Sequence, residues 1–141
     1  MTSDEETAER MLQDATQKQP VEPLAFYYLS DAAERLGHYD VARRALLDYE
    51  VLRGDQADPR RRSEYAVRLG DLSLRLNEPA AAATYFLRAA DGTDAALLAR
   101  AADAQLRAGD KEAARATAAK ALERDPTNAL ALTVQRRVGR G

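Results

Sequence analysis

Two kinds of residue recur along the chain in one register, and that recurrence restricts the fold more than any other feature of the sequence. Asp31, Asp71 and Asp103 lie 40 and then 32 residues apart, and so do Ala42, Ala82 and Ala114. The segments SDAAERLGHYDVARRALL, GDLSLRLNEPAAAATYFL and ADAQLRAGDKEAARATAA share one layout: an Asp, an Arg four residues on, a turn, then a run bearing Ala and a second packing residue. Repeats of this length imply a stacked array, in which each unit buries its apolar face only against its neighbours.

Punctuation makes the units helical. Prolines at 23, 59, 79 and 126 each follow Glu or Asp, the pattern of a first helical position behind a capping residue. Gly37, Gly54, Gly92 and Gly109 mark helix ends, with Asn77 as a substitute that tolerates the left-handed conformation. Alternating β-branched runs are missing. The pattern predicts helices near 4–18, 23–36, 40–53, 59–76, 79–91, 94–108, 111–124 and 127–138. Short connections make neighbours antiparallel hairpins. Ala8, Leu12, Ala15 and Pro20 precede Ala42, Leu46, Tyr49 and Gly54 by 34 residues, so the first helix reads as the second half of a unit.

At the level of individual residues the chain resembles the tetratricopeptide repeat family. The first unit supplies Phe26, Leu29, Ser30 in place of glycine, Gly37, Tyr39, Ala42 and Leu46. The second supplies Leu69, Gly70, Ala82, Phe86 and Ala89, and the third Leu98, Ala101, Ala102, Gly109, Asp110, Ala114, Ala118, Ala121 and Pro126. The resemblance implies an all-α, right-handed superhelical array of antiparallel hairpins with about eight helices, forming a single domain over 1–141. Its parts are a half-repeat at 4–19, repeats at 23–56, 61–94 and 95–128, and a C-terminal helix at 127–138. Tyr49 stands where the family has a second Ala, which predicts a splayed first unit, and only the third unit keeps the closing Pro.

The alanine-rich stretch LRAGDKEAARATAAKALERDP at 106–126 makes sense in such a hairpin. Ala101, Ala102, Ala114 and Ala121 let two helix backbones approach closely, while Leu97, Leu98, Leu106 and Leu122 supply bulk. Alanine also has the highest helix propensity, so these helices need less packing to hold.

Chemistry-bearing residues are few. With one histidine, His38, read as an exposed turn residue, and no cysteine, a nucleophile–base–orienter set cannot be assembled, and phosphate-cradling glycine loops are lacking. The expectation is a protein without enzymatic activity, cofactor or metal. A formal net charge of -2 argues against a dedicated nucleic-acid or anionic-membrane surface. The arginines of PRRRSE at 59–64 oppose the dipole of a helix start and read as a solvated flank; the tail QRRVGRG reads as a basic helix end. An acidic N-terminus and the lack of a long apolar run predict a cytoplasmic protein.

Function must then reside in surface shape. The resemblance implies a groove lined by the first helix of each unit: Leu24, Tyr27, Tyr28, Asp31 and Arg35; Val67, Arg68, Asp71, Leu74 and Arg75; Arg100, Asp103, Leu106 and Arg107. Family members that grip a terminal carboxylate carry Lys and Asn at such places, and the three Asp residues here argue against that clamp. Spacing of four between each Asp and its Arg also suits intrahelical ion pairs that only keep the face hydrated. The expected function is an adaptor or scaffold that binds a protein or peptide segment in the groove. The alternatives are a self-associating structural module forming a homo-oligomer and, less favoured because of the acidic residues, an RNA-binding helical repeat.

Overall fold

A computed structural model describes residues 3–17, 22–53 and 58–139. Within them all regular structure is helical: α1 (Ser3–Thr16), α2 (Pro23–Arg35), α3 (Tyr39–Arg53), α4 (Pro59–Arg75), α5 (Pro79–Ala90), α6 (Ala95–Arg107), α7 (Lys111–Arg124) and α8 (Ala129–Gly139). The chain forms two compact units, residues 1–59 and 60–141.

Helix starts use two different devices. At α6 and α7 an aspartate caps the helix: Leu97 N–H donates to Asp94 Oδ1 and Ala113 N–H to Asp110 Oδ1, both at 3.1 Å. At α2 and α5 the preceding Glu22 and Glu78 accept no capping bond, and Pro23 and Pro79 alone open the helix with their preset φ. Pro126 departs from expectation. It does not open a helix; Asp125 instead accepts from Thr127 N–H (3.2 Å) and Thr127 Oγ1 (3.0 Å) in a turn. The start passes to Asn128, whose Oδ1 accepts from Ala131 N–H at 2.9 Å. Its side chain satisfies a donor of the first turn, which a proline start leaves to water.

Helix ends follow the expected residues. Gly37, Gly92 and Gly109 have φ of 78°, 71° and 87°, and Asn77 takes the same region at 59°. Asp91 joins them at 48°, so α5 closes on two consecutive left-handed residues. Pro20, Gly54 and the last turn of the first predicted helix, at residue 18, lie outside the described residues.

In the first unit α1 lies against α2, and α2 and α3 form a hairpin. Ala25, Leu29 and Ala33 of α2 and Ala42, Ala45, Leu46 and Tyr49 of α3 are buried. The buried Ser30 hydroxyl donates across the hairpin to the Ala42 carbonyl at 2.8 Å, which satisfies a polar group that has left water.

The second unit holds the alanines. Ala82, Ala83 and Phe86 of α5 pack with Ala101 and Ala104 of α6. A larger cluster joins Leu98 and Ala102 of α6, Ala114, Ala118 and Ala121 of α7, and Ala131, Val134 and Val138 of α8. Leu97, Leu106 and Leu122 pack at its margin. The expected close-approach residues Ala101, Ala102, Ala114 and Ala121 all have no exposed surface.

Ser30, Gly70 and Ala102 occupy equivalent places on leading helices, all buried, and Leu46, Phe86 and Ala118 occupy equivalent places on second helices, all without exposure. The largest second-helix side chain, Phe86, accompanies the glycine, and the smallest, Ala118, accompanies an alanine. The first two pairs divide a similar volume differently, a large ring beside a glycine and a leucine beside a serine, while the third pair is small on both sides and leaves its bulk to neighbouring leucines.

Candidate interaction surface

Each unit presents part of the surface expected from the leading helices. On α2, Leu24 and Tyr28 are 44% and 52% exposed. Tyr27 is half-buried behind them, its ring 5.8 Å from Tyr28 in an edge-on arrangement and 5.4 Å from the buried Tyr49 of α3. Tyr49, the departure from the repeat pattern, thus backs the exposed tyrosine with a packed aromatic row. Edge-to-face pairs of this kind add about 0.5–1.5 kcal/mol beyond area burial, so the row holds Tyr28 on a firm base. One turn further on, Asp31 and Arg35 form the expected ion pair at 2.7 Å.

In the second unit, α4 contributes half-buried Val67 and Arg68 and exposed Asp71 and Arg75, and α6 contributes half-buried Arg100 and Asp103 and exposed Arg107. Leu74 and Leu106 are half-buried and pack inward. Asp103 pairs with Arg107 at 3.1 Å, as its spacing predicts. Asp71 behaves differently. Its carboxylate takes Arg100 of the neighbouring leading helix as partner. The Arg100 guanidinium is already fixed, its Cζ 4.3 Å above the Phe86 ring, so pairing with it costs little further ordering. Asp71, Arg100 and Phe86 thereby link α4, α5 and α6.

His38 is exposed in the turn after α2, as expected, and it also has a partner. Its Nδ1–H donates to Glu9 Oε2 at 2.6 Å, tying the turn after α2 to a nearly buried carboxylate on α1. The sequence carries no spacing signal for this contact, because it joins residues 29 apart across the half-unit. Arg60, Arg61 and Arg62 are exposed, with Arg60 3.7 Å from Glu64 one turn later, the arrangement of a solvated flank. No described helix is long and apolar enough to cross a membrane.

The sequence profile of the tetratricopeptide repeat matches residues 4–61 and 67–129. The chain belongs to the tetratricopeptide repeat family, and its fold is the all-α solenoid of that family, a protein-interaction scaffold. Among solved structures, a crystal structure of MamA matches with a TM-score of 0.69 at 18% identity, over 99% of this chain and 79% of that one. The MamA RS-1 ArsTM double mutant matches at 0.63 and 18%, over 98% and 86%. A chain of an APC/C hetero-tetramer matches at 0.64 and 18%, over 96% of this chain and 27% of that one. At such identity the likeness is one of fold. No curated protein matches the chain in sequence.

Proposed function

We propose that the protein is a non-enzymatic adaptor that grips a segment of another protein with the exposed faces of its leading helices. The observation that carries this reading is the pair Leu24 and Tyr28, two exposed apolar side chains one helical turn apart on α2, the latter braced through Tyr27 by Tyr49. Exposed aromatics on a rigid base are the usual anchors of protein interfaces, since they bury much area at little entropic cost. Asp31 and Arg35 beside them are mutually neutralised and serve to orient a segment rather than to attract it. The segment that suits α2 is amphipathic, with an apolar residue to cover Leu24 and Tyr28 and polar groups to exchange with the Asp31–Arg35 pair.

Affinity capture from the source lysate tests the proposal, with the intact chain and a Leu24→Ser/Tyr28→Ser variant side by side. Loss of a captured protein from the variant, at unchanged helicity, supports it. Identical capture by both chains refutes it.

A further inference from the structure

The register that relates the units also identifies an uncovered face. Ala8, Met11, Leu12 and Ala15 of α1 stand 34 residues before Ala42, Ala45, Leu46 and Tyr49 of α3. In α3 all four are buried, with Ala42 and Tyr49 against Ser30 and Tyr27 of α2. In α1 Ala8 is exposed, Met11 is 67% exposed, and Leu12 and Ala15 are only half-buried. Helix α1 is thus a second-type helix whose hairpin face is open in this chain. At the other end α8 lies against both α7 and α6, the place of a leading helix. It buries Ala131, Val134 and Val138, leaving Leu132 39% exposed and Arg136 and Arg137 exposed.

We propose that α8 of one copy docks antiparallel on the open face of α1 of a second copy, completing a hairpin between molecules. Charge selects this occupant. The first turn of α1 carries Asp4, Glu5 and Glu6, and the last turn of α8 carries Arg136 and Arg137. Antiparallel pairing brings those two turns together, as it does the ends of every hairpin in the chain. Spacing agrees as well. Leu132 precedes Arg136 by four residues and Ala8 follows Asp4 by four, so at about 1.5 Å per residue the apolar side chain reaches the Ala8–Met11 patch when the charges meet. A parallel approach would move both arginines away from the acidic turn. The contact uses no residue of the α2 anchor, so it stands or falls independently of the adaptor reading.

A single helix face buries less than a standard interface of about 1,600 Å², so the association is weak and self-limiting at low concentration. Sedimentation equilibrium of the full chain between about 10 µM and about 1 mM, a range suited to such contacts, is the test. The average mass should rise with concentration. Arg136→Glu/Arg137→Glu and, separately, Asp4→Lys/Glu6→Lys should each raise the concentration needed by about tenfold or more through like-charge apposition. Mixing the two variants should restore assembly, because each reversed face then meets its complement. Met11→Gln, helix-compatible and at an exposed position, should weaken assembly without altering helicity. A constant monomer mass across the range, assembly indifferent to Met11→Gln, or failure of the helical charge variants to rescue each other would overturn the proposal.

Discussion

A Cβ placed on Gly70 would lie 2.7 Å from Cδ1 and 2.8 Å from Cζ of Phe86, closer than carbon atoms tolerate. The glycine is therefore required by the ring and not by backbone conformation, since Gly70 lies within a regular helix. Gly70→Ala gains about 1 kcal/mol of helix propensity. It also forces the ring to shift in a site with no exposed surface, beneath a guanidinium, and overpacking of this kind costs about 1–3 kcal/mol. The clash should win, giving a net loss of about 1 kcal/mol in urea unfolding. Adding Phe86→Leu should recover part of it, because Ser30 with Leu46 shows that a larger leading residue is accommodated by a smaller partner. Recovery by the double variant separates this packing account from a general intolerance of change at Gly70.

The bridge from Asp71 to Arg100 should show measurable coupling. Both side chains are partly exposed, so a double-mutant cycle with Asp71→Asn and Arg100→Gln is expected to give about 0.5–1 kcal/mol, falling in high salt. Arg100→Lys keeps the charge but loses the planar group over Phe86, and should be less stable than wild type. A coupling near zero would mean that the carboxylate and guanidinium act independently.

Helix limits were legible because local groups set them: glycine and asparagine at positive φ, proline at the first turn. The buried alanines were legible because one register relates all the units. Two side-chain contacts were not legible. Asp71 has a suitable arginine four residues on, and only the placement of α6 shows that its partner is Arg100 instead. Glu9 and His38 are joined by the docking of a half-unit, for which no local pattern exists. Pro126 misled because a proline signal and an asparagine cap stood two residues apart, and the residue that supplies an acceptor set the start.

The two kinds of helix start should respond differently to substitution. Asp94→Ala and Asp110→Ala each remove an acceptor from a first-turn N–H and should cost about 1 kcal/mol. Glu22→Ala and Glu78→Ala remove no capping bond and should stay within about 0.5 kcal/mol of wild type. Thermal unfolding of the four variants gives the comparison, and equal losses would show that charge near the helix start, rather than the bond, is what matters.

Glu9 should govern how firmly α1 is held. Its carboxylate is nearly buried and has His38 as a donor, and hydrogen bonds to charged groups contribute about 1.5–3 kcal/mol. His38→Ala leaves that carboxylate without this donor, so it should speed amide exchange in α1 more than Glu9→Gln, which keeps an acceptor and sheds the charge. Exchange mass spectrometry resolves the helices separately. Changes should concentrate in residues 3–16; an unaltered α1 would show that its other contacts with α2 suffice.

The aromatic row on α2 divides into a part that holds the fold and a part that is available to a partner. Tyr49 is almost wholly buried, and Tyr49→Ala should cost about 3–5 kcal/mol through the cavity it leaves. Tyr28 is about half exposed, and Tyr28→Ser should cost far less, about 1 kcal/mol, mainly from its edge contact with Tyr27. Leu24→Ser should be smaller still. Urea titration of the three variants reads this gradient directly. A large loss at Tyr28 would make that ring a structural element, and the exposed surface of α2 would then have to be explained by folding rather than by recognition.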